Sequence, residues 1–366
     1  MNFKVINLLN TLNSIAPFHL AEGWDNIGLI VGNRDKKVKK ILTCLNADIN
    51  VAKEAFEKKV DVVLCHHPPV FRETKKFTEN DFSALYEFIR KDISVIAMHT
   101  NFDVAFADKF IPDDIKNKIK KTRVFKSTNV EKIYKIAVYV PEKALEKVRK
   151  AMFRAGAGHI GQYSDCSFNL AGYGTFLPGE NTNPDIGSIG KLEKVDEFKI
   201  ETVCPESKLD NVINSMKKAH PYEEVAYDIY TLEIQGEKSG YGLTGEFEED
   251  ISIKDFGLIL NQKFPLLKAA GDLNRKLKKI AWCNGAGGSF VKMALNQKVD
   301  LYVTGEIGYH DALTAAENGM AVFCLGHFET EENFSILMKK ALEHSIKNDI
   351  IEILVSKNDK PVFRRI

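Results

Sequence analysis

The sequence predicts an α/β protein in which one domain is split by an inserted α+β domain. Three observations predict it. Apolar runs of strand length alternate with helical segments over residues 1–128, the pattern changes near residue 130, and the alternation resumes after residue 238. Such strand–helix alternation implies a parallel sheet covered by helices on both faces.

Val5, Ile6, Leu8, Leu9, Leu12 and Ile15 recur at helical spacing and predict a helix over 4–15. AEGWDNIGLIVG reads as a short strand bounded by turn residues, and VKKILTCLN (38–46) as the next strand. Asp48 can cap a helix running to about Lys59. DVVLC (61–65) is short and apolar, fit for a strand buried on both faces. A helix over 81–91, the strand ISVIAMH (93–99) and a helix over 105–120 complete this half.

KIYKIAVYVP (132–141) then reads as a strand, and EKALEKVRKAMFRAG as a helix ending at Gly156. The glycine-rich YSDCSFNLAGYGTFLP has strand character. VDEFKIETVCP, ESKLDNVINSMKKAH and EEVAYDIYTLEI follow as strand, helix and strand. The order β-α-β-β-α-β is that of a split βαβ, or ferredoxin-like, unit. It occupies residues 129–237, and QGEKSG (235–240) reads as its exit linker.

Beyond it, YGLTGEFEE is a strand, 252–263 a helix, and LKKIAWC (277–283) a strand that enters the loop NGAGGS. Strands VDLYVTG (299–305), MAVFCLGH (320–327) and IIEILVS (350–356) alternate with helices, the last reaching about Ile346. Residues 1–128 and 238–366 therefore form one split α/β domain around the insert.

The chain has 366 residues, with 51 Lys and Arg against 50 Asp and Glu, a formal net charge of +1. That balance argues against a protein whose main task is to coat nucleic acid. Cys44, Cys65, Cys166, Cys204, Cys283 and Cys324 form no C-x-x-C pair, and several lie in apolar runs such as VVLC and IAWC. They read as buried thiols in a reducing compartment. No apolar run approaches the roughly 18 residues that span a membrane. The N-terminus reads as an amphipathic helix, not a secretion signal, so a cytoplasmic protein is expected.

The chemistry concentrates where predicted strands end. His66, His67, His99 and His327 all lie there, and in open parallel sheets ligands bind beyond the carboxyl ends of the strands. Adjacent residues leaving a strand point in different directions, so His66 and His67 suit two nearby ions better than one. Pro68 and Pro69 stiffen the turn behind them. The alternative is a capped strand end with one buried and one exposed histidine. Asp103, four residues after His99, is a candidate carboxylate ligand or a cap for a helix from 104 onward, and His99 a group that orients a ligand. His327 and Glu331 share a face if a helix has begun; otherwise they belong to an ordinary capping segment. Together, three neutral imidazoles and two carboxylates give −2 against +4 for two divalent ions, and the remaining +2 favours a hydroxide bridging them. The donor set suits zinc, iron, cobalt or manganese over magnesium or calcium.

With HHPPVF, HTNFD, GEIGYHD and GHFETEE in this order, and with WDNIGLIVG and HPYEEVAYDIY, the chain resembles the Ngg-one-interacting-factor-three-like family across its length. Bacterial members of that family bear the name GTP cyclohydrolase 1 type 2 homologue. The resemblance implies a toroidal homohexamer, a CutA-like insert, and a dinuclear centre facing the central cavity. It implies one ion on His66, Asp103 and Glu331, the other on His67, His327 and Glu331, with Glu331 bridging. Two departures stand out: Asn46 and Glu306 occupy positions where aspartate is common. Neither is expected to touch a ligand.

His310 is a candidate general acid or base, with a structural role at a helix start as the equal alternative; His99 is the second candidate for moving protons. NGAGGS could cradle a phosphate but reads more readily as a tight βα turn, having no P-loop lysine. His220-Pro-Tyr-Glu-Glu224 reads as a structural turn. Trp24-Asp25-Asn26 either lines a ligand cavity or packs and caps. The expected function is metal-dependent hydrolysis by a bridging hydroxide on a nucleotide-like or small polar substrate. The alternative is a non-enzymatic regulatory or scaffold ring that senses a ligand or docks a partner. A membrane partner is not expected.

Overall fold

The computed structural model describes residues 3–265, 267–346 and 351–363; Ile350, the first residue of the last expected strand, lies outside them. The chain divides into two compact units, residues 1–128 with 239–366, and residues 129–238.

The first unit holds two groups of strands. One sheet has the order Gly28–Val31, Ser94–Ala97, Val62–His67, Lys40–Asn46, Glu352–Val355. Its last four strands are parallel, and Gly28–Val31 runs antiparallel at the edge. In the other group Lys279–Cys283, Leu301–Thr304 and Ala321–Cys324 are parallel. The end of Tyr227–Phe247 flanks them on one side and Lys268–Ala270 on the other, both antiparallel. The expected single parallel sheet is thus two mixed ones. Its antiparallel members escape a strand–helix count because they are short edges or continue a strand of the insert.

The parallel strands are apolar over their centres, as Val62, Val63, Leu64 and Cys65, all fully buried, illustrate, because helices cover both faces. Val5–Ile15 and Phe334–Ser345 pack Leu8, Leu12, Phe334 and Met338 on one face of the first sheet. Ile49–Glu57 and Ser83–Arg90 pack Val51, Ala55, Leu85 and Phe88 on the other. Asp48 caps Ile49–Glu57 by accepting from the backbone of Asn50 and Val51 at 2.9 Å.

The helix expected over 105–120 is instead two pieces, Thr100–Ala105 and Asp113–Lys116. Pro112 cannot donate to a helix and holds its neighbour extended. Asp103 lies inside a helix, not at its cap. QGEKSG holds the boundary between the two units, as expected of an exit segment, but it is extended and lies within the strand Tyr227–Phe247. A Cβ at Gly240 would come within 1.9 Å of the Lys126 carbonyl oxygen, so this glycine permits a close approach of backbones that a turn signal in sequence mimics.

The second unit runs strand (the end of Ile119–Pro141), helix Leu145–Arg154, strands Phe168–Phe176 and Glu193–Pro205, helix Leu209–Ala219, and the start of Tyr227–Phe247. Glu193–Pro205 pairs antiparallel with both Ile119–Pro141 and Phe168–Phe176. The two helices bury Val148, Met152, Val212 and Met216 against Ile136, Val138 and Ile200. His220 satisfies a turn here: one ring nitrogen lies 3.0 Å from the Tyr139 carbonyl and the other accepts from the Tyr222 backbone at 3.1 Å.

Candidate metal centre

His66 and His67 are the last two residues of Val62–His67. The preceding apolar run buries this strand and carries His66 wholly inside. Asp103 comes from the helix Thr100–Ala105. Gly326, at φ 104°, turns the chain sharply after Ala321–Cys324 into the short helix His327–Glu331, so His327 and Glu331 share a face one turn apart.

These five side chains meet. The Glu331 Oε2 lies 3.1 Å from His67 Nε2, 3.2 Å from His327 Nε2 and 3.9 Å from His66 Nε2. Asp103 Oδ1 lies 3.3 Å from His66 Nε2. The other nitrogen of each ring is anchored: His66 Nδ1 to the Met98 carbonyl at 2.8 Å, His67 Nδ1 to Asn46 Oδ1 at 2.8 Å, His327 Nδ1 to Glu306 Oε2 at 2.9 Å. Each of these partners is an acceptor, so Nδ1 carries the proton and each neutral ring aims its Nε2 lone pair at the carboxylates. Asn46 and Glu306 thus do touch candidate ligands, contrary to the expectation from sequence.

Lone pairs converging on oxygen repel unless positive charge sits among them. His66 Nε2 and Asp103 Oδ1 are buried and make no hydrogen bond despite their proximity. Glu331 is 4% exposed, and among the described residues its ion-pair partners are the three histidines. Burial alone would lower His66, but Asp103 and Glu331 outweigh it and hold it up at about 9. His327 is likewise held at about 9, against burial, by Glu331 and Glu306. Burial pushes His67 down, outweighing its hydrogen bond to Glu331, with the charges of His66 and His327 adding. Burial would raise Glu331, yet His327, His67 and His66 hold it well below the usual carboxylate range. The cluster takes up protons because it is short of positive charge, and a divalent cation would displace them.

The spacing fits a metal. Zinc bonds of 2.0–2.1 Å in tetrahedral geometry place neighbouring ligand atoms about 3.3 Å apart, close to the 3.1, 3.2 and 3.3 Å found here. Three groups bring their ligand atoms within 4.8 Å of one another: His66, Asp103 and Glu331; His67, His327 and Glu331; and His66, His67 and His99.

The loop NGAGGS is a tight turn that backs the cluster. Gly285, at φ 59°, leaves no room for a side chain, since a Cβ would lie 2.0 Å from Glu331 Oε1. Its N–H donates to Thr330 Oγ1 at 3.1 Å. His99 stands beside the cluster, its ring 5.1 Å from that of His66 and 5.5 Å from that of His67. Asp25 packs and caps: its buried carboxylate holds His99 Nδ1 at 2.9 Å and accepts from the Thr100 backbone at 3.0 Å. His310 is exposed at the start of the helix Tyr309–Glu317, its ring edge-on to Tyr309.

A cavity of about 400 Å³ opens onto the cluster, lined by His67, His99, Asp103, His327 and Glu331, by Trp24 and Phe71, and by Lys126 and Tyr241. His310 is not among its lining residues. Trp24 and Phe71 are 58% and 50% exposed and stand 5.6 Å apart, an aromatic pair in the lining of the cleft. No helix among the described residues is long and apolar enough to cross a membrane.

Residues 3–361 match the model of the Duf34/NIF3 (NGG1p interacting factor 3) family. The chain is 36% identical over 368 residues to a Bacillus subtilis protein named GTP cyclohydrolase 1 type 2 homolog, with 97% of each chain covered. Its fold is similar to that of a Bacillus cereus protein related to NIF3, at TM-score 0.90, 33% identity and full coverage of both chains. A Staphylococcus aureus protein matches at TM-score 0.71 and 26% identity, again over the whole of both chains.

Proposed function

The chain belongs to the Duf34/NIF3 (NGG1p interacting factor 3) family, and on that premise we propose that it is a dinuclear metal protein that hydrolyses a nucleotide-like or other small polar substrate. One observation carries the reading: three imidazoles, each anchored through Nδ1, aim Nε2 at one buried carboxylate oxygen. His66, Asp103 and Glu331 would hold one ion, and His67, His327 and Glu331 the other. Mixed nitrogen and oxygen donors prefer zinc and admit iron, manganese or cobalt. Divalent ions at such a site act as Lewis acids and make bound water a competent nucleophile near neutral pH.

The chain's own residues supply the rest. Met98, Asn46 and Glu306 fix the three ring tautomers, which keeps Nε2 free. Asp25 holds His99 through Nδ1, leaving Nε2 as the atom that gives or takes a proton beside the cluster. Trp24 and Phe71 give the cavity apolar lining. A volume of about 400 Å³ is that of a small-molecule site. The name of the Bacillus subtilis relative makes GTP the first compound to test.

The free and mostly buried cysteines support a cytoplasmic location, and the family resemblance supports a homohexameric toroid and a CutA-like, ferredoxin-type insert. The strand order Phe168–Phe176, Glu193–Pro205, Ile119–Pro141, Tyr227–Phe247 supports the last of these.

The test pairs elemental analysis with hydrolysis assays of GTP and small phosphoesters on wild type and Glu331→Gln. The substitution is expected to abolish both metal and turnover. A metal-free Glu331→Gln protein that turns over substrate as fast as wild type would remove the metal-dependent mechanism.

A further inference from the structure

Tyr241 is nine-tenths buried, at 9% exposure, and its hydroxyl, although beside Thr100, completes no hydrogen bond of proper geometry. Its ring stacks on that of Phe290, centres 6.1 Å apart, in an apolar cluster that includes Val104, Phe125, Cys283 and Val291, while the residue also lines the cavity that opens onto the metal cluster. A buried hydroxyl without a partner is destabilising. Burial pushes the phenol up, with the charges of Glu22 and Asp103 adding, so it stays a donor at neutral pH.

Lys126 lies on the same wall. Its Nζ stands 5.1 Å from the Tyr241 ring centre, 4.8 Å from that of Phe290, and 3.2 Å from Glu22 Oε1. Two aromatic faces and one carboxylate thus hold the ammonium at the cavity. The cavity therefore has a donor and a cation on one wall and His67, Asp103, His327 and Glu331 on another.

We propose that Tyr241 and Lys126 form a subsite for an anionic oxygen of the ligand, a carboxylate or a phosphate, which the ligand presents while its reacting part meets the metal cluster. The arriving oxygen accepts from the Tyr241 hydroxyl and joins or replaces Glu22 at Lys126. This rests on the metal-dependent reading of the cluster and specifies what that site selects.

The test is calorimetric titration of the zinc-loaded full chain with inorganic phosphate and, separately, acetate. Wild type, Tyr241→Phe and Lys126→Met are compared, with metal content measured on the same samples. At least one probe is expected to bind wild type, and each substitution to weaken it by about tenfold or more with metal content unchanged. The probe that shows the loss identifies phosphate or carboxylate. Equal binding in all three proteins would place the probe on the ions alone and overturn the subsite. Binding of neither probe by metal-loaded wild type would overturn it too. Loss of metal from Tyr241→Phe would make the tyrosine a support of the cluster and equally overturn the subsite. A wild type that takes up no zinc would sink the metal-dependent reading itself, and the subsite with it.

Discussion

Replacing Asn46 by leucine removes the acceptor that fixes the His67 ring, 2.8 Å from its Nδ1. Freed of that partner, the ring can carry its proton on Nε2 and donate to Glu331 Oε2, 3.1 Å away. A hydrogen bond then occupies the lone pair that a metal needs. Removing such a partner of a metal-bound histidine costs roughly 10–100-fold in affinity, or about 1.4–2.8 kcal/mol at 1.4 kcal/mol per decade. The loss should fall on the ion held by His67, His327 and Glu331 and leave the other equivalent nearly unchanged. Competition with a chromogenic zinc chelator at neutral pH resolves the two equivalents. Asn46→Asp restores the acceptor and should hold both. It also gives up the Nδ2 donor that lies 3.5 Å from Asp359 Oδ1 and sets two carboxylates together, so this variant should melt below wild type. That cost offers a physical reason for asparagine here. If Asn46→Leu binds both equivalents as tightly as wild type, tautomer control through Nδ1 is refuted.

Gly285→Ala should lose metal, because its Cβ would lie 2.0 Å from Glu331 Oε1 and its φ of 59° disfavours a side chain by about 1–2 kcal/mol; full metal content with an unchanged melting temperature would contradict this. Zinc at about 100 times Kd should stabilise wild type by about 2.7 kcal/mol, seen as a rise of several degrees in melting temperature, and the His67→Ala, Glu331→Ala double variant should show none. Glu54, 3% exposed, accepts from Ser356 Oγ at 2.6 Å and from the backbones of Lys357 and Asn358 at 3.1 Å. Burial would raise its carboxyl, but Lys58, Ser356 and those N–H groups hold it below the usual value. A depressed carboxyl stabilises above its unfolded pKa, about 4.3, and that contribution is lost as pH falls through the folded value. The stability gap between wild type and Glu54→Gln should therefore be full at neutral pH and shrink by about pH 3.5; a gap equal at both, in denaturant titrations, would rule the charge out.

The residues most visible in sequence were those whose type is rare and whose place is at the end of an apolar run. His66, His67 and His327 meet both conditions, and the structure brings them to Glu331. Asp103 was visible, but its surroundings were not: the helix begins early, at Thr100, whose N–H donates to the distant Asp25, so the carboxylate sits within Thr100–Ala105 instead of capping a later helix. Asn46, Asp25 and Glu306 are ordinary polar residues whose role exists only through partners 21, 74 and 21 positions away. Tyr241 was hidden for a related reason, since a strand tyrosine shows its burial but not its missing partner. Glycines misled once: those of QGEKSG read as turn residues and serve close strand packing, whereas NGAGGS is the tight turn expected, with Gly285 making room in it for a carboxylate. Lys268–Ala270 is three residues long, too short for alternation to register.

Elemental analysis of untagged wild type, beside the His67→Ala, Glu331→Ala variant, measures whether the histidine–carboxylate cluster holds two divalent ions per chain. About two ions per wild-type chain and their loss from the variant are expected. Wild type without stoichiometric metal, even after reconstitution with zinc or manganese, would contradict this.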